Sequence, residues 1–326
     1  MERCLYCYQP LVAGEEDFHA VCARKMFGKI EAPKFPYTRK NMSELAKQVI
    51  RSSASVTGVQ AKLSLDIDKG GRNEPDKFTI VGLWGNYIFK PQSNKYPCLP
   101  ELEDLTMKMA AVAGIQTARH SLIRLADGEL GYITLRMDRG KKGEKYSMLD
   151  MCQLTNRLTE HKYMGTYLQL SDTIRKFSSA AMLDVQKFWE VVLFSWITGN
   201  SDMHCKNFSL LNKDDGKGYL LSPAYDLLAV LLADPTDTDE LALPVCAGDP
   251  TSGLTRGSFI KAFEASKIPE KVYRKMMAKM EGCQESWFKL IDSSFLPEKM
   301  KYDYRSLIES RLATLSKMEL RSAIQK

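Results

Sequence analysis

The stretch Gly199-Asn200-Ser201-Asp202-Met203-His204-Cys205-Lys206-Asn207-Phe208 sets an aspartate five residues ahead of an asparagine, and a further aspartate follows in Pro223-Ala224-Tyr225-Asp226. Phosphoryl-transfer loops are laid out in this way. An Asp accepts the proton of the attacking hydroxyl, an Asn five residues later holds magnesium, and a downstream acid completes the metal site. By spacing alone, a solvated polar turn would look the same. The flanks favour the chemical reading. Between Asp184 and Thr198, Val185, Phe188, Trp189, Val192, Leu193 and Trp196 recur at helical spacing, which predicts a helix with a buried stripe. Gly199 stops it, because glycine tolerates the left-handed conformation that turns a chain out of a helix. Beyond the loop, Phe208 to Leu211 and Tyr219 to Leu221 read as a short hairpin around the turn Asn212 to Gly218. That hairpin returns Asp226 toward the loop, and two acids with one amide suit magnesium, which takes a few oxygen ligands beside water and phosphate.

The rest of the chain supplies what such a loop needs. Ser52 to Leu65 runs from small and hydroxylated residues around Gly58 into an alternating strand, as a phosphate-covering loop would, although it contains no G-x-G-x-x-G and no G-x-x-x-x-G-K-[ST]. A hairpin is expected from Phe78-Thr79-Ile80-Val81 and Asn86-Tyr87-Ile88-Phe89-Lys90, with Lys90 at the strand end. The helix after it carries Pro100, Glu101, Glu103 and Asp104 in its first turns and Leu102, Leu105, Met109, Ala110 and Ala113 on a buried stripe. Glu103 is the expected partner of Lys90; Glu101 suits the helix dipole better. Arg119 to Leu125 and Glu129 to Met137 form a further hairpin around Ala126-Asp127-Gly128. Before these strands, Glu31 to Thr38, with Pro33 and Pro36, reads as a linker, and Met42 to Ile50 as a short helix.

Composition sets the frame. The chain has 326 residues, 44% hydrophobic and 26% charged, with a net charge of +6, values ordinary for a folded protein and only mildly suggestive of nucleic acid. No apolar run approaches the roughly 20 residues of a membrane span, and the start Met1-Glu2-Arg3-Cys4 has no secretory core, so a cytoplasmic protein without membrane contact is expected. Of eight cysteines, Cys98, Cys152, Cys205, Cys246 and Cys283 stand singly, which argues against a disulfide framework. The others cluster. Cys4-x2-Cys7 and His19-x2-Cys22 offer three thiolates and an imidazole, a set suited to tetrahedral structural zinc with no position left for catalysis. A small metal-free core around Tyr6, Phe18 and Val21 is the competing reading.

Five blocks together resemble the HipA-like Ser/Thr kinase toxins, most closely their short HipT form. They are Ser55-Val56-Thr57-Gly58-Val59-Gln60-Ala61-Lys62, Ile88-Phe89-Lys90-Pro91, Leu99-Pro100-Glu101-Leu102-Glu103, the loop Gly199 to Phe208, and Pro223-Ala224-Tyr225-Asp226. The resemblance implies an α/β (α+β), two-lobed protein-kinase-like fold, with a strand-rich N-lobe and a helical C-lobe, using ATP and magnesium. It also implies a toxin that phosphorylates a translation component such as an aminoacyl-tRNA synthetase. Antitoxin proteins of the HipB or HipS type would control it, with operator DNA reached through the antitoxin. Carried over by position, Asp202 is the general base, and Asn207 and Asp226 hold magnesium. Thr57, Gly58, Val59, Gln60, Ala61, Lys62 and Lys90 contact phosphates, with Glu103 as the lysine's partner. The Leu135-Arg136-Met137 backbone meets adenine, while His204, Cys205, Lys206 and Tyr225 close the nucleotide site. Ser55, and Thr57 in short forms, match positions that the family autophosphorylates, and a dianionic phosphate there would compete with the nucleotide's own.

Departures from the family pattern are the short segment ahead of the Gly-rich loop, which carries the Cys/His cluster, and Leu135 where some members have an acid. The expected organisation is a Cys/His segment over 1–35, a nucleotide-binding N-lobe over 36–138 and a catalytic C-lobe over 139–326. Two other functional classes are weighed. A kinase-fold phosphotransferase for a small molecule would share the loop but not Ser55 and Thr57, and a non-catalytic DNA- or antitoxin-binding module would be expected to have lost one of Lys90, Asp202, Asn207 and Asp226.

Overall fold

The computed structural model describes residues 2–42, 44–45, 62–71, 74–81, 85–140 and 143–324. They fall into two compact units: Met1–Leu105 with Ala118–Arg139 and Ser293–Phe295, and Thr106–Thr117 with Gly140–Asp292 and Leu296–Lys326. The Cys/His segment belongs to the first. Ser55, Thr57, Gly58, Val59, Gln60 and Ala61 lie outside the described residues, as do residues 46–50 of the expected short helix; residues 39–42 and 44–45 are helical.

In the first unit, α1 (Ala20–Phe27) precedes β1 (Leu63–Asp68), β2 (Lys77–Ile80), β3 (Tyr87–Lys90), the start of α2 (Leu99–Val112), β4 (His120–Arg124) and β5 (Leu130–Leu135). The strands make one antiparallel sheet in the order β2-β1-β3-β5-β4. The hairpin expected between β2 and β3 is therefore not formed. Both strands flank β1, with Leu65 opposite Ile80 on one side and Tyr87 on the other. A strand whose alternate residues Leu63 and Leu65 are buried is stabilised by neighbours on both edges, and that outweighs closeness in sequence. The β4–β5 turn is as read: Gly128 takes φ 88° and the Leu125 amide donates to the Glu129 carbonyl at 2.8 Å.

Residues 31–38 are not a loose linker. Lys34 bridges to Lys77 on the edge of β2, and its carbonyl accepts from the Phe78 amide at 2.9 Å. Phe35 is buried in an aromatic cluster with Phe78 and Phe89, at ring separations of 5.9 and 4.6 Å, and Phe27 of α1 reaches Phe78 at 5.9 Å. Prolines stop regular structure in this segment without stopping burial, which Phe35 supplies at ~2 kcal/mol or more.

The second unit contains the remainder of α2, a three-stranded antiparallel sheet β6 (Ser147–Asp150), β7 (Ser209–Asn212) and β8 (Leu220–Leu221), and the helices. These are α3 (Met151–Leu154), α4 (Tyr167–Phe177), α5 (Ala181–Ile197), α6 (Val230–Ala233), α7 (Arg256–Ala265), α8 (Glu270–Glu281), α9 (Gln284–Ser293) and α10 (Glu298–Ile324). α5 is buried over most of its surface, with Val191 and Phe194 as well as the expected stripe enclosed. Its aromatic residues meet a ring on each side: Phe188 meets Phe208 at 4.8 Å, Trp189 meets Phe263 at 5.7 Å, and Phe194 meets Trp287 at 5.8 Å. The buried Asp184 near its start accepts from the Leu221 amide at 2.7 Å and from Ser178 Oγ at 2.6 Å, which ties β8 to the helix. Among the described residues, no helix is long and apolar enough to cross a membrane.

α5 ends as its sequence predicts. Gly199 sits at φ 73°; its amide reaches back to the Trp196 carbonyl at 3.4 Å, and the Asn200 amide to Ser195 at 2.8 Å, the paired bonds of a Schellman cap. Gly199→Ala should cost about 1–2 kcal/mol from the left-handed backbone alone. Its methyl would also lie 2.6 Å from Leu307 Cδ2, a contact that side chain must yield to. A urea midpoint equal to that of the wild type would contradict this account of the cap.

Candidate active site

Each unit, taken by itself, holds a cluster of the expected residues. In the first, Lys90 closes β3 opposite Tyr132, whose ring centroid lies 5.4 Å from the ammonium. Lys90 Nζ donates to Glu103 Oε1 at 2.6 Å, with the two side chains only 6% and 2% exposed. A buried pair of this kind holds both groups in one geometry, because each would be costly to leave in the interior without its counter-charge. Glu101 is engaged elsewhere, accepting from Gln92 Nε2 at 2.8 and 2.9 Å, and burial pushes its carboxyl up. Geometry thus separates the two candidate acids. Lys62 stands exposed just ahead of β1.

Leu135 and Arg136 leave β5 with their amides already committed, to the Arg119 carbonyl at 2.8 Å and the Asn86 carbonyl at 2.8 Å. The Arg136 and Arg139 guanidiniums grip Asp138 at 2.8 and 2.7 Å. Burial pushes the Asp138 carboxyl up, but the two arginines outweigh it and hold it below the usual range.

In the second unit the loop after Gly199 is closed by its own groups. Asn207 Nδ2 donates to the Asp202 carbonyl at 2.9 Å, which fixes the amide's orientation, and the His204 amide donates to the same carbonyl at 2.8 Å. Cys205 to Asn207 form a single 3-10 turn. Tyr225 donates its hydroxyl to the Lys206 carbonyl at 2.8 Å and accepts from Ser209 Oγ at 2.6 Å, so the residue before Asp226 is pinned to the loop. Asp226 itself stands at φ 56°. A side chain other than glycine enters that region uncommonly, and such strain concentrates where position matters more than stability.

Asp202 is half exposed, and its Oδ1 accepts a hydrogen bond from the Tyr163 hydroxyl at 2.6 Å. Tyr163 packs edge-on against His204 at 5.1 Å. His204 Nε2 lies 4.0 Å from Asp202 Oδ1. Burial drives the His204 imidazole below its usual value; Asp202 opposes this, Lys162 adds to it, and Asp226 opposes it more weakly. Both acids thus act on one ring. Among the described residues, the buried His204 Nδ1 and Asn200 Nδ2 have no hydrogen-bond partner within the protein. Each such atom costs about 1–3 kcal/mol until something meets it.

Two more of the expected side chains are engaged within the protein. Lys206 Nζ donates to Asp150 Oδ2 at 2.7 Å, and the buried Cys205 thiol meets the Met164 carbonyl at 3.6 Å and Arg157 Nη1 at 3.4 Å. Tyr163, Asp150 and Asn200 were not singled out from the sequence. Asn200 sits inside the quoted loop and could have been. Tyr163 and Asp150 lie 39 and 56 residues from their partners, in segments with no periodic pattern to mark them.

A model of the HipA-like C-terminal domain matches residues 54–287. The chain belongs to this family. Within it, the chain is 24% identical over 266 residues to a Haemophilus influenzae protein named "Putative kinase", covering 76% of this chain and 74% of that one. It is 33% identical over 192 residues to "Putative kinase Y4dM" of Sinorhizobium fredii, covering 54% of this chain and 45% of that protein, so it spans less than half the length of that relative. Among solved structures, HipA of Shewanella oneidensis, in complex with HipB and operator DNA, superposes with a TM-score of 0.65 at 19% identity, over 87% of this chain and 72% of that one. The proinflammatory kinase CtkA of Helicobacter pylori gives 0.50 at 14% identity, over 76% of this chain and 92% of that one. The fold is accordingly the mixed α/β, kinase-like fold of HipA, a strand-rich sheet and a helical part.

Proposed function

We propose that this protein is an ATP- and magnesium-dependent Ser/Thr protein kinase, the toxin of a HipA/HipT-type toxin–antitoxin system. The observation that carries the proposal is Asp202 Oδ1 accepting a hydrogen bond from the Tyr163 hydroxyl at 2.6 Å, in a loop whose Asn207 amide is fixed by the Asp202 carbonyl. A carboxylate that already takes a hydrogen bond from a hydroxyl is arranged as a general base for one. In the reaction, the substrate hydroxyl oxygen attacks the terminal phosphorus, its proton passes to Asp202, and the bond to the departing nucleoside diphosphate breaks.

The donor set suits magnesium, with the Asp226 carboxylate and the oriented Asn207 amide supplying hard oxygen ligands. Bound there, the ion would neutralise charge developing on the phosphates. Lys90, held by Glu103, would present its ammonium to phosphate oxygens. The unmet Asn200 Nδ2 and His204 Nδ1 fit an anionic ligand rich in acceptor atoms. Of Leu135, Arg136 and Met137, the first two have spent their amides, so the Met137 amide is the donor we assign to adenine. With their side chains engaged, Cys205 and Lys206 would serve the nucleotide through their backbone.

The proposed substrate is a translation component such as an aminoacyl-tRNA synthetase, with Ser55 and Thr57 as sites of self-modification. HipB- or HipS-type antitoxin proteins are the proposed partners, and operator DNA would be reached through them. Incubated with ATP and magnesium, the wild-type chain should gain phosphate on Ser55 or Thr57 while Asp202→Ala gains none. Absence of nucleotide binding by both would sink the kinase reading. Phosphoproteomics of cells expressing a Ser55→Ala, Thr57→Ala variant would then identify the substrate.

A further inference from the structure

Cys4, Cys7, His19 and Cys22 take no part in the proposed chemistry, yet one ligand atom from each comes together with all four within 4.8 Å of one another. Cys7 Sγ lies 3.3 Å and Cys22 Sγ 3.8 Å from His19 Nδ1. Around one tetrahedral zinc ion, with bonds of about 2.3 Å to sulfur and about 2.0 Å to nitrogen, sulfur and nitrogen ligands stand about 3.5–3.8 Å apart. The four atoms are therefore already near ligand spacing. None of the three cysteines is in a disulfide.

The surroundings of the imidazole fit the same assignment. His19 Nε2 lies 3.0 Å from the Pro10 carbonyl, to which only a protonated nitrogen can donate. That bond leaves Nδ1, the atom facing the thiols, as the lone-pair nitrogen, in the way an outer-shell carbonyl orients a metal-bound histidine. The competing metal-free core fails on one of its three members, since Val21 is 63% exposed.

The backbone shows what the cluster secures. Arg3 and Pro10 bridge as the base of a tight turn, in which the Tyr8 amide donates to the Cys4 carbonyl at 2.9 Å and Tyr8 stands at φ 65°. From this turn the buried Tyr8 hydroxyl donates to Asp104 Oδ2 at 2.7 Å, while His120 Nδ1 meets Asp104 Oδ1 at 2.7 Å. Ser121 Oγ donates to the Leu5 carbonyl at 3.2 Å. Asp104 is the neighbour of Glu103 on α2.

We propose that Cys4, Cys7, His19 and Cys22 bind one structural zinc ion, and that the ion clamps the Arg3–Pro10 turn so that Tyr8 holds Asp104 of α2. All four positions on the metal come from the protein, so the site is closed to substrate. The assignment does not depend on the kinase reading and is tested without any assay of activity.

The full chain, expressed with zinc supplied and purified under reducing conditions, should contain close to one equivalent of zinc by elemental analysis. Less than about half an equivalent, or iron in its place, overturns the assignment, since such ligand sets hold zinc tightly at neutral pH. Replacing zinc by cobalt should give the sulfur-to-cobalt charge-transfer absorption and strong visible bands of a tetrahedral thiolate site; an octahedral spectrum overturns it. Cys7→Ser should lose most of the metal, and if that variant fails to fold, the cobalt spectrum of the wild type still decides. For the clamp, chelation should lower the Tm of the wild type by on the order of 10 °C. In Tyr8→Phe, which keeps every ligand, the same treatment should lower it by clearly less. An equal drop in both removes Tyr8 from the proposal.

Discussion

Asp202→Asn should lower the rate of phosphate transfer to protein by about 10²–10⁴-fold while leaving the fold intact, the range expected for loss of a general base. Asparagine has the same shape and keeps an acceptor for the Tyr163 hydroxyl and the backbone carbonyl on which Asn207 and His204 depend. What it lacks is a site for the proton. Because the Asp202 side chain is 49% exposed, its charge contributes little to stability, and the Tm should move by no more than about 2 °C. Single-turnover transfer with labelled ATP, together with nucleotide affinity, separates the effects. Affinity should hold or rise, since a negative charge near the phosphates has been removed. A rate within tenfold of the wild type would show that Asp202 is not the base.

The second large effect concerns Lys90 and Glu103. Lys90→Met leaves the Glu103 carboxylate, 2% exposed, buried without its ammonium, and Glu103→Gln does the converse to Lys90. Breaking a buried pair from one side costs about 3–5 kcal/mol, or roughly 10 °C in Tm. The double variant Lys90→Met, Glu103→Leu removes both charges and should recover most of that stability, because an apolar replacement carries no desolvation cost. It should not recover ATP affinity, which is proposed to need the ammonium. This asymmetry distinguishes a phosphate contact from a purely structural pair. Recovery of both stability and nucleotide binding would assign the pair to the core alone.

Local structure was legible wherever one residue or one period determined it. The apolar stripe of α5, the glycine stop at Gly199 and the turn at Gly128 depend on neighbours a few residues away, and each lies where its pattern placed it. Glu103 could be chosen over Glu101 because the first-turn position of Glu101 suits the helix dipole, and it is Glu103 that lies 2.6 Å from the Lys90 ammonium. The expected β2–β3 hairpin does not form for the opposite reason. Two adjacent strands with a short connection favour pairing by sequence, whereas the partner of each was decided by the buried face of β1. The segment with Pro33 and Pro36 departs from the linker expectation similarly, since proline reports on backbone regularity and is silent about where Phe35 is buried.

The sequence by itself determined the chemistry-bearing groups, Lys90, Asp202, Asn207 and Asp226, along with the Cys/His set, because residue identity and short spacing are written in the chain. Only the tertiary structure decided what those groups touch. It brought the Tyr163 hydroxyl to Asp202 across 39 residues, Asp150 to Lys206 across 56, and Tyr8 to Asp104 across 96. Contacts at such separations follow from how buried surfaces and hydrogen bonds are satisfied together, and no local period in the sequence records that solution.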